Sequence, residues 1–327
     1  MNNDNIKTSE LNEQIVCSVC IATYKRPELL RKLIQSLFDQ KEIDEIHLEI
    51  IIVDNDFEKS AKKIVTEFLA KTSITISYYE QPVQNISLTR NMALDMSSGH
   101  YIAIIDDDET TDEYWIRNLI DTIVRYNADA VFGYVIPVFP SNTPIWMQQR
   151  ELYFMPMNKT GDPPIHYYTT NCLIRARDLK KLNLKFDPAY GLTGGSDRVF
   201  FDLLSSYKFK FVVCKEAITY ETIPEHRTKL KFFCNRFIQK GNNYGRVVIY
   251  SEGGKYYKKV LILLIKSLLG LGYYGLQSIV FFPFKTKWIF SLKGLCLNVG
   301  KLLAVLKVKM FIYKTENRNY KKTSNSV

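Results

Sequence analysis

The sequence predicts an α/β fold: a mostly parallel sheet with helices on both faces, followed by a basic, apolar helical segment. Three observations carry that expectation. From Val16 to Pro137 short apolar runs alternate with stretches of 3.6-residue periodicity, the pattern of strands joined by crossover helices. The 327 residues suffice for one large α/β domain plus a smaller unit. The net charge of +10 is uneven: Gly253 to Thr315 holds eleven lysines and no Asp or Glu, and 10 − 11 leaves −1 for the rest.

The elements follow in order. "VCSVCIA" (16–22) reads as a buried strand, and "TYKRPELLRKLIQSLFDQ" as a helix with Pro27 in its first turn and Leu29, Leu30, Leu33, Ile34 and Leu37 on one face. "LEIIIVD" (48–54), a helix over 57–70 and the strand "SITISYYE" (73–80) continue the alternation. In "NISLTRNMALDMSSG" Ser87 is the expected N-cap and Gly99 the C-terminal stop. "YIAIID" is the fourth strand, followed by a helix over 112–126 and the strand "DAVFGYVIP". The stretch 137–164 is proline-rich and reads as a loop or lid. Trp146, Tyr153, Tyr167 and Tyr168 are read as packing rather than as platforms for a ligand. Next come a strand at "TTNCLIRA", the glycine-rich loop "YGLTGGSD" (190–197), a helix over 197–206, strands at "KFVVC" and "AITYE", and a helix with a basic face over 227–250.

Ligands of such sheets bind at the carboxyl ends of the strands. Thr23, Asp54 and the run Asp106, Asp107, Asp108, Glu109 all fall there. Adjacent carboxylates disfavour their own ionised state unless something positive meets them. One reading is a solvated acidic turn. The other is a metal site: residues two apart in a strand share a face, so Asp106 and Asp108 would point together while Asp107 turns aside. Oxygen donors at that density suit Mg²⁺ or Mn²⁺, which commonly binds a substrate's phosphates. A dinucleotide dehydrogenase or a P-loop enzyme needs glycines after the first strand, and "IATYKRPELL" has none.

The order "IATYKRPELL", "IIVDND", "NISLTRNMALDMSSGHYIAIIDDDE" and "FDPAYGLTGGSDRVFF" resembles the family 2 glycosyltransferases of GT-A fold, in the bacterial exopolysaccharide-type branch, over residues 15–250. The resemblance implies inverting transfer from a nucleotide-sugar donor, usually a UDP-sugar, with Mg²⁺ or Mn²⁺. It places Thr23, Tyr24, Arg26 and Asp54 around the base and ribose, and Arg90 at the base or diphosphate. Asp106 and Asp108 match the ends of the family's DxD. Asp106 would thus serve both nucleotide sugar and metal, Asp197 would be the general base, and Gly194 and Gly195 would form the acceptor loop. Local readings stay open beside these: Asp54 as a helix cap, Arg90 as a solvated charge, Asp197 as an N-cap. Two features depart from the family. Its Gly-Gly-Glu-Asp is Gly194, Gly195, Ser196, Asp197 here, and the histidine found near the domain's end in many relatives is replaced by Tyr220, with His226 displaced downstream.

The uncharged run 267–284 is 18 residues long, at the lower limit for a membrane span. Lys266 interrupts the longer apolar stretch, and 288–313 intersperses lysines with apolar residues, as a helix lying in the membrane interface does. Lysines without acids suit an anionic membrane surface, and the apolar content argues against nucleic acid as the partner. The polar N-terminus has no apolar run after a basic stretch, which predicts no secretory signal. Six cysteines, with Cys17 and Cys20 on opposite faces of one strand, fit a reducing compartment. The expected organisation is a polar tail (1–14), the glycosyltransferase domain (15–250), membrane-associating helices (251–315) and a polar tail (316–327). The expected function is sugar transfer to a saccharide or lipid-linked saccharide acceptor at the cytoplasmic face of the membrane. The alternative is a catalytically silent nucleotide-sugar-binding subunit there.

Overall fold

Strand β1 (Ile15–Thr23) sends alternate residues to opposite sides of the sheet: Cys17, Val19 and Ile21 into one core cluster, Cys20 into the other. The computed structural model describes residues 14–70, 74–148, 158–250 and 256–310. Tyr153, the polar tail ending at residue 13, the junction 251–255 and the tail from 311 lie outside the described residues.

Helix α1 (Pro27–Phe38) buries Leu30, Leu33, Ile34 and Leu37 completely, each worth roughly 1.5–3 kcal/mol of transfer from water. Strand β2 (Ile46–Asp54) is followed by helix α2 (Lys62–Leu69), which starts five residues later than its apolar pattern predicts. The carboxylates of Asp54 and Asp56 accept backbone N–H bonds across 56–61 and hold that stretch as turns. Strand β3 (Thr75–Glu80) leads to helix α3 (Ile86–Met96), whose N-cap is Asn85 rather than Ser87. The Asn85 side chain accepts from the N–H groups of Ser87 and Leu88, and Ser87 is buried. Gly99 does not end this helix, which caps at Ser97; a Cβ at Gly99 would lie 2.6 Å from Ser18 Oγ. The glycine therefore serves a close approach to β1.

Strands β4 (Tyr101–Asp106) and β5 (Glu109–Thr111) are followed by helix α4 (Trp115–Arg125) and strand β6 (Ala130–Val138). Strand β7 (Cys172–Arg175), helix α5 (Ala176–Lys181), helix α6 (Ser196–Ser206) and strand β8 (Phe211–Thr222) complete the α/β unit. "KFVVC" and "AITYE" thus form one long strand, irregular where β6 shifts register between Phe132 and Tyr134.

The eight strands run in the order β3-β2-β1-β4-β7-β6-β8-β5. The half β3-β2-β1-β4 is parallel, as expected. The other half is mixed: β7 pairs antiparallel with β4 and β6, and β5 antiparallel with β8. Helices α1, α2 and α4 cover one face, and α3, α5 and α6 the other. Strand order reverses direction between β1 and β4, which opens a crevice at their carboxyl ends.

Asn171, fully buried at φ 52°, ties the mixed half together. Its Oδ1 accepts from Trp115 Nε1 at 2.7 Å, and its amide donates to Ala217 O at 2.9 Å and Thr219 Oγ1 at 3.2 Å. Asn171→Ala leaves at least two buried groups unpaired, at about 1–3 kcal/mol each. The thermal midpoint should fall by roughly 5–15 °C, at about 2–4 °C per kcal/mol. A midpoint unchanged within 2 °C, on the order of 1 kcal/mol or less, refutes this role.

Beyond the sheet lie α7 (Leu230–Tyr250), α8 (Tyr256–Val280) and α9 (Lys285–Val305). Helix α9 packs against both α7 and α8. Cβ atoms added at Gly241 and Gly300 would meet Leu297 O at 2.1 Å and Ile238 O at 1.9 Å, so α7 and α9 touch backbone to backbone. Trp146 packs into this unit with Phe233, Phe237 and Ile289, while Tyr167 and Tyr168 pack under the sheet. These three aromatics serve as packing.

Candidate active site

Thr23 and Asp106 end neighbouring strands, and the chain turns sharply at Lys25 (φ 53°) before α1 begins. Around that crevice the acidic run is woven into arginines. Asp107 accepts from Thr23 Oγ1 at 2.9 Å, from the Tyr24 N–H at 3.4 Å and from Arg26 at 2.9 Å. The same Arg26 nitrogen reaches Asp108 Oδ2 at 2.9 Å, and Arg227 approaches that oxygen at 3.4 Å.

Asp106 and Asp108 do not share a strand face. Strand β4 stops at Asp106, and residues 107 and 108 form the turn into β5, where the rule of two has no purchase. Asp107 pairs with Asp108 through Arg26, whereas Asp106 turns to Arg90.

Arg90 lies on α3, buried, with its guanidinium spanning two carboxylates: Nη2 bonds Asp106 Oδ1 at 3.0 Å and Nη1 bonds Asp197 Oδ1 at 2.7 Å. It is a site residue and not a solvated charge. Asp197 sits in the first turn of α6 after Gly194 and Gly195, whose φ values of 79° and 91° are left-handed and favour glycine. Ser196, buried where the family usually has Glu, donates to Asp197 Oδ1 at 3.2 Å. Both hydrogen bonds of Asp197 among the described residues fall on Oδ1. The side chains of Asp106 and Asp197 each remain about a third exposed.

Asp54 ends beside Thr23 in register but turns inward. Fully buried, it accepts from the N–H groups of Asp56 and Ala61 and from Tyr78 Oη, which makes it the cap of the following loop. His226 stands edge-on to Phe232; its neighbour Arg227 enters the site instead, bonding Glu221 at 3.0 Å. Sequence reasoning misses Arg227 and also the pair Glu109 and Glu221, which face each other across β5 and β8.

Burial and mutual repulsion raise the carboxyl pKa values. Asp107 is pushed up to about 6 by burial and by Asp108, against Arg26. Burial raises Asp106 against Arg90, with Asp108 and Asp197 adding to the rise. Glu109 is held well above its usual range by burial, Asp106 and Glu221, and Glu221 is raised by burial and Asp108. Six carboxylates thus face four guanidinium groups, Arg26, Arg90, Arg227 and Arg236. The surplus must be met by protons or by a bound cation.

Comparison with known proteins bears on this site. The model of the family described as "Glycosyl transferase family 2" matches residues 18–182, which takes in the acidic run but stops before the Gly194–Asp197 loop. The succinoglycan biosynthesis protein ExoM of Rhizobium meliloti is 32% identical over 244 residues, 74% of this chain and 78% of that protein. Glycosyltransferase GlyA of Streptococcus pneumoniae is 28% identical over 116 residues, 36% of this chain but only 16% of that protein. Among solved structures, S. aureus TarS 1–349 in complex with UDP aligns at a TM-score of 0.50 and 14% identity, covering 90% of this chain and 89% of that one. That likeness is one of fold, the GT-A arrangement.

Proposed function

This chain belongs to glycosyl transferase family 2, and on that premise we propose that it is an inverting transferase. It moves a sugar from a nucleotide donor, a UDP-sugar, to a saccharide or lipid-linked saccharide acceptor in cell-surface polysaccharide synthesis. One observation carries the reading: Arg90 holds Asp106 and Asp197 on two arms of a single guanidinium, at the switch point of the sheet. A strand-end carboxylate and a base, each about a third exposed, thus face each other across a space one guanidinium wide. The UDP-GlcNAc complex of TarS supports the donor class, and the name of ExoM supports the polysaccharide setting.

In this reading Thr23, Tyr24 and Arg26 border the nucleotide, with Asp54 shaping the loop beside them. Asp197 Oδ2 takes the proton of the acceptor hydroxyl as its oxygen attacks the anomeric carbon. The bond from that carbon to the diphosphate breaks, its electron pair leaves with the diphosphate, and a single displacement inverts the centre. Arg90 lies where negative charge develops on the leaving group.

Mg²⁺ or Mn²⁺ would be held by Asp106 and Asp108. The donor set fits in kind: hard carboxylate oxygens with a negative surplus around them. No group of three His, Cys, Asp or Glu poised to hold a metal occurs among the described residues. Two carboxylates suffice for an ion that keeps waters and phosphate oxygens. Charge on the departing diphosphate would be neutralised there by the ion. Asp108→Ala should weaken UDP-sugar binding when Mn²⁺ is present and leave it unchanged in chelator, measured by calorimetry. Equal wild-type affinity in both conditions removes the metal from this reading.

Helices α8 and α9 are both long and apolar enough to cross a membrane by length and composition. On α8 only Leu263 and Ser267 are buried, while Leu261, Ile265, Leu268, Leu269, Leu276 and Ile279 are exposed. Lysines 258, 259 and 266 lie along α8, and lysines 285 and 287 follow its end. That apolar surface with its lysines supports docking on an anionic bilayer, at the cytoplasmic face in our reading.

A further inference from the structure

Asp197 follows a hinge. Gly194 and Gly195, at φ 79° and 91°, stand directly before Ser196 and Asp197, and neither has a side chain to hold it. Two sets of contacts secure the loop. On one side Asn85 Nδ2 donates to Pro188 O at 3.0 Å and the Ile86 N–H to Gly191 O at 3.3 Å, which ties residues 188–191 to the start of α3, the helix of Arg90. The other side is α7. A Cβ added at Gly195 would lie 3.8 Å from Asn243 Cβ, Tyr190 Cδ1 and Val247 Cγ2, so the hinge rests against that helix.

Helix α7 has two faces in use. Gly241 and Gly245 meet Leu297 and Ala304 of α9, while Asn243, Arg246 and Val247, three and four residues apart, form the opposite face. The guanidinium of Arg246 stands 5.7 Å from the centroid of the Tyr190 ring. Its Nη1 is sealed from water and has no hydrogen-bond partner among the described residues. A cation set over a ring away from water is held more firmly than one at an exposed site. Tyr190 passes that restraint on, because its carbonyl oxygen accepts the Gly194 N–H at 3.0 Å. From Arg246 the path to the hinge is one ring and one hydrogen bond.

We propose that Arg246 is a positioning residue for Asp197: through Tyr190 it fixes the Gly194–Gly195 hinge, so that the base is set from the C-terminal helices as well as from Arg90. Arg246 touches neither donor nor acceptor in this role. The need for a second anchor is geometric. Arg90 and Ser196 both hold Asp197 by Oδ1, which leaves the carboxylate free to swing about that atom unless the chain before it is fixed. Displacement of a reacting group by about 1 Å can lower a rate about 10²-fold. Since α7 also packs on α9, the membrane-facing helices and the loop that carries the base share one support.

This role of Arg246 rests on the transferase reading, and the experiment separates the two. Hydrogen exchange is followed on the full chain in detergent, and single-turnover transfer from a panel of UDP-sugars to acceptor in membrane extract is measured beside it. Arg246→Gln should speed exchange of the 190–197 amides about tenfold or more, the loss of one desolvated cation–π contact, and leave β1 and β4 unchanged. Turnover should fall about tenfold or more with it, while UDP-sugar affinity stays within about twofold of wild type. Tyr190→Leu should do the same, and the double variant should be no worse than either single one, because both break one contact. Arg246→Lys and Tyr190→Phe should restore both readouts, since each keeps a cation over a ring. Unchanged exchange at 190–197 in Arg246→Gln would overturn the proposal, as would additive effects of the two substitutions or a loss of donor affinity alongside turnover. Normal turnover in spite of faster exchange would overturn it too, leaving the contact one of stability alone. If instead wild type forms no product while exchange responds as described, the transferase reading falls and the anchoring of the loop stands.

Discussion

Asp197→Asn is expected to lower turnover at least a hundredfold while UDP-sugar affinity stays within a few-fold of wild type. The change keeps size and shape and removes the proton acceptor. A general base contributes about 10²- to 10⁴-fold, and Asp197 is the carboxylate that this reading sets beside the acceptor hydroxyl. Folding should survive. The asparagine oxygen can still accept from Arg90 and Ser196, and loss of a negative charge in the first turn of α6 costs about 0.3–1 kcal/mol. Arg90 also keeps its bond to Asp106. Single-turnover product formation separates chemistry from binding. A variant with normal turnover would place the base elsewhere. A variant that loses donor affinity together with turnover would mean that Asp197 acts by anchoring Arg90 against the diphosphate. The silent-subunit alternative is exposed in the same experiment, because it predicts that wild type binds UDP-sugar yet forms no product with any acceptor in membrane extract.

Why the sequence reveals some of this and not the rest has physical causes. The parallel half is legible because β1, β2 and β4 are buried on both faces and flanked by helices with a clear 3.6 period. In the mixed half β7 has four residues and β5 three, too short for any period to register. Asn85 and Ser87 both have capping chemistry two residues apart, and only the bonds formed distinguish them. Asp106 and Asp108 show the limit of counting: alternation holds inside a strand, and this strand ends on the first of the two. Asp197, Arg90 and Thr23 are legible by type and place, but not the guanidinium that joins two of them across 107 residues. Arg227 carries no signal of its own, since an arginine beside a histidine after a strand reads as surface until Glu221 and Asp108 are seen to face it.

High salt should release little of the full-length chain from membranes, and detergent should release most of it. Two forces act on the C-terminal helices. Lysines are drawn to anionic lipid at about 1 kcal/mol each near the surface, and 1 M salt cuts the screening length to about 3 Å and abolishes most of that attraction. The exposed apolar residues of α8 remain, each worth roughly 1.5–3 kcal/mol if fully buried, so even partial embedding of Leu261, Ile265, Leu268, Leu269, Leu276 and Ile279 outweighs what salt removes. The expected domain boundary after residue 250 would invite a cut near Ser251. The structure argues against that cut, because Phe233, Phe237 and Ile249 of α7 bury against α9 and its neighbours. Truncation would strip them bare, so fractionation of the intact chain is the sound test. Full release by salt alone would refute embedding and leave electrostatic docking. A chain that stays in the supernatant without either treatment would make the α8 face a protein contact instead. The backbone contact between α7 and α9 also bears on how α8 meets the lipid. Helix α7 carries Arg236, Lys240 and Arg246 and packs along α9, so a bilayer crossed by α9 would draw those charges in at about 2.5–3.5 kcal/mol each. A helix pair lying in the interface, α8 outward and α9 beneath it, avoids that cost while keeping the apolar face out of water.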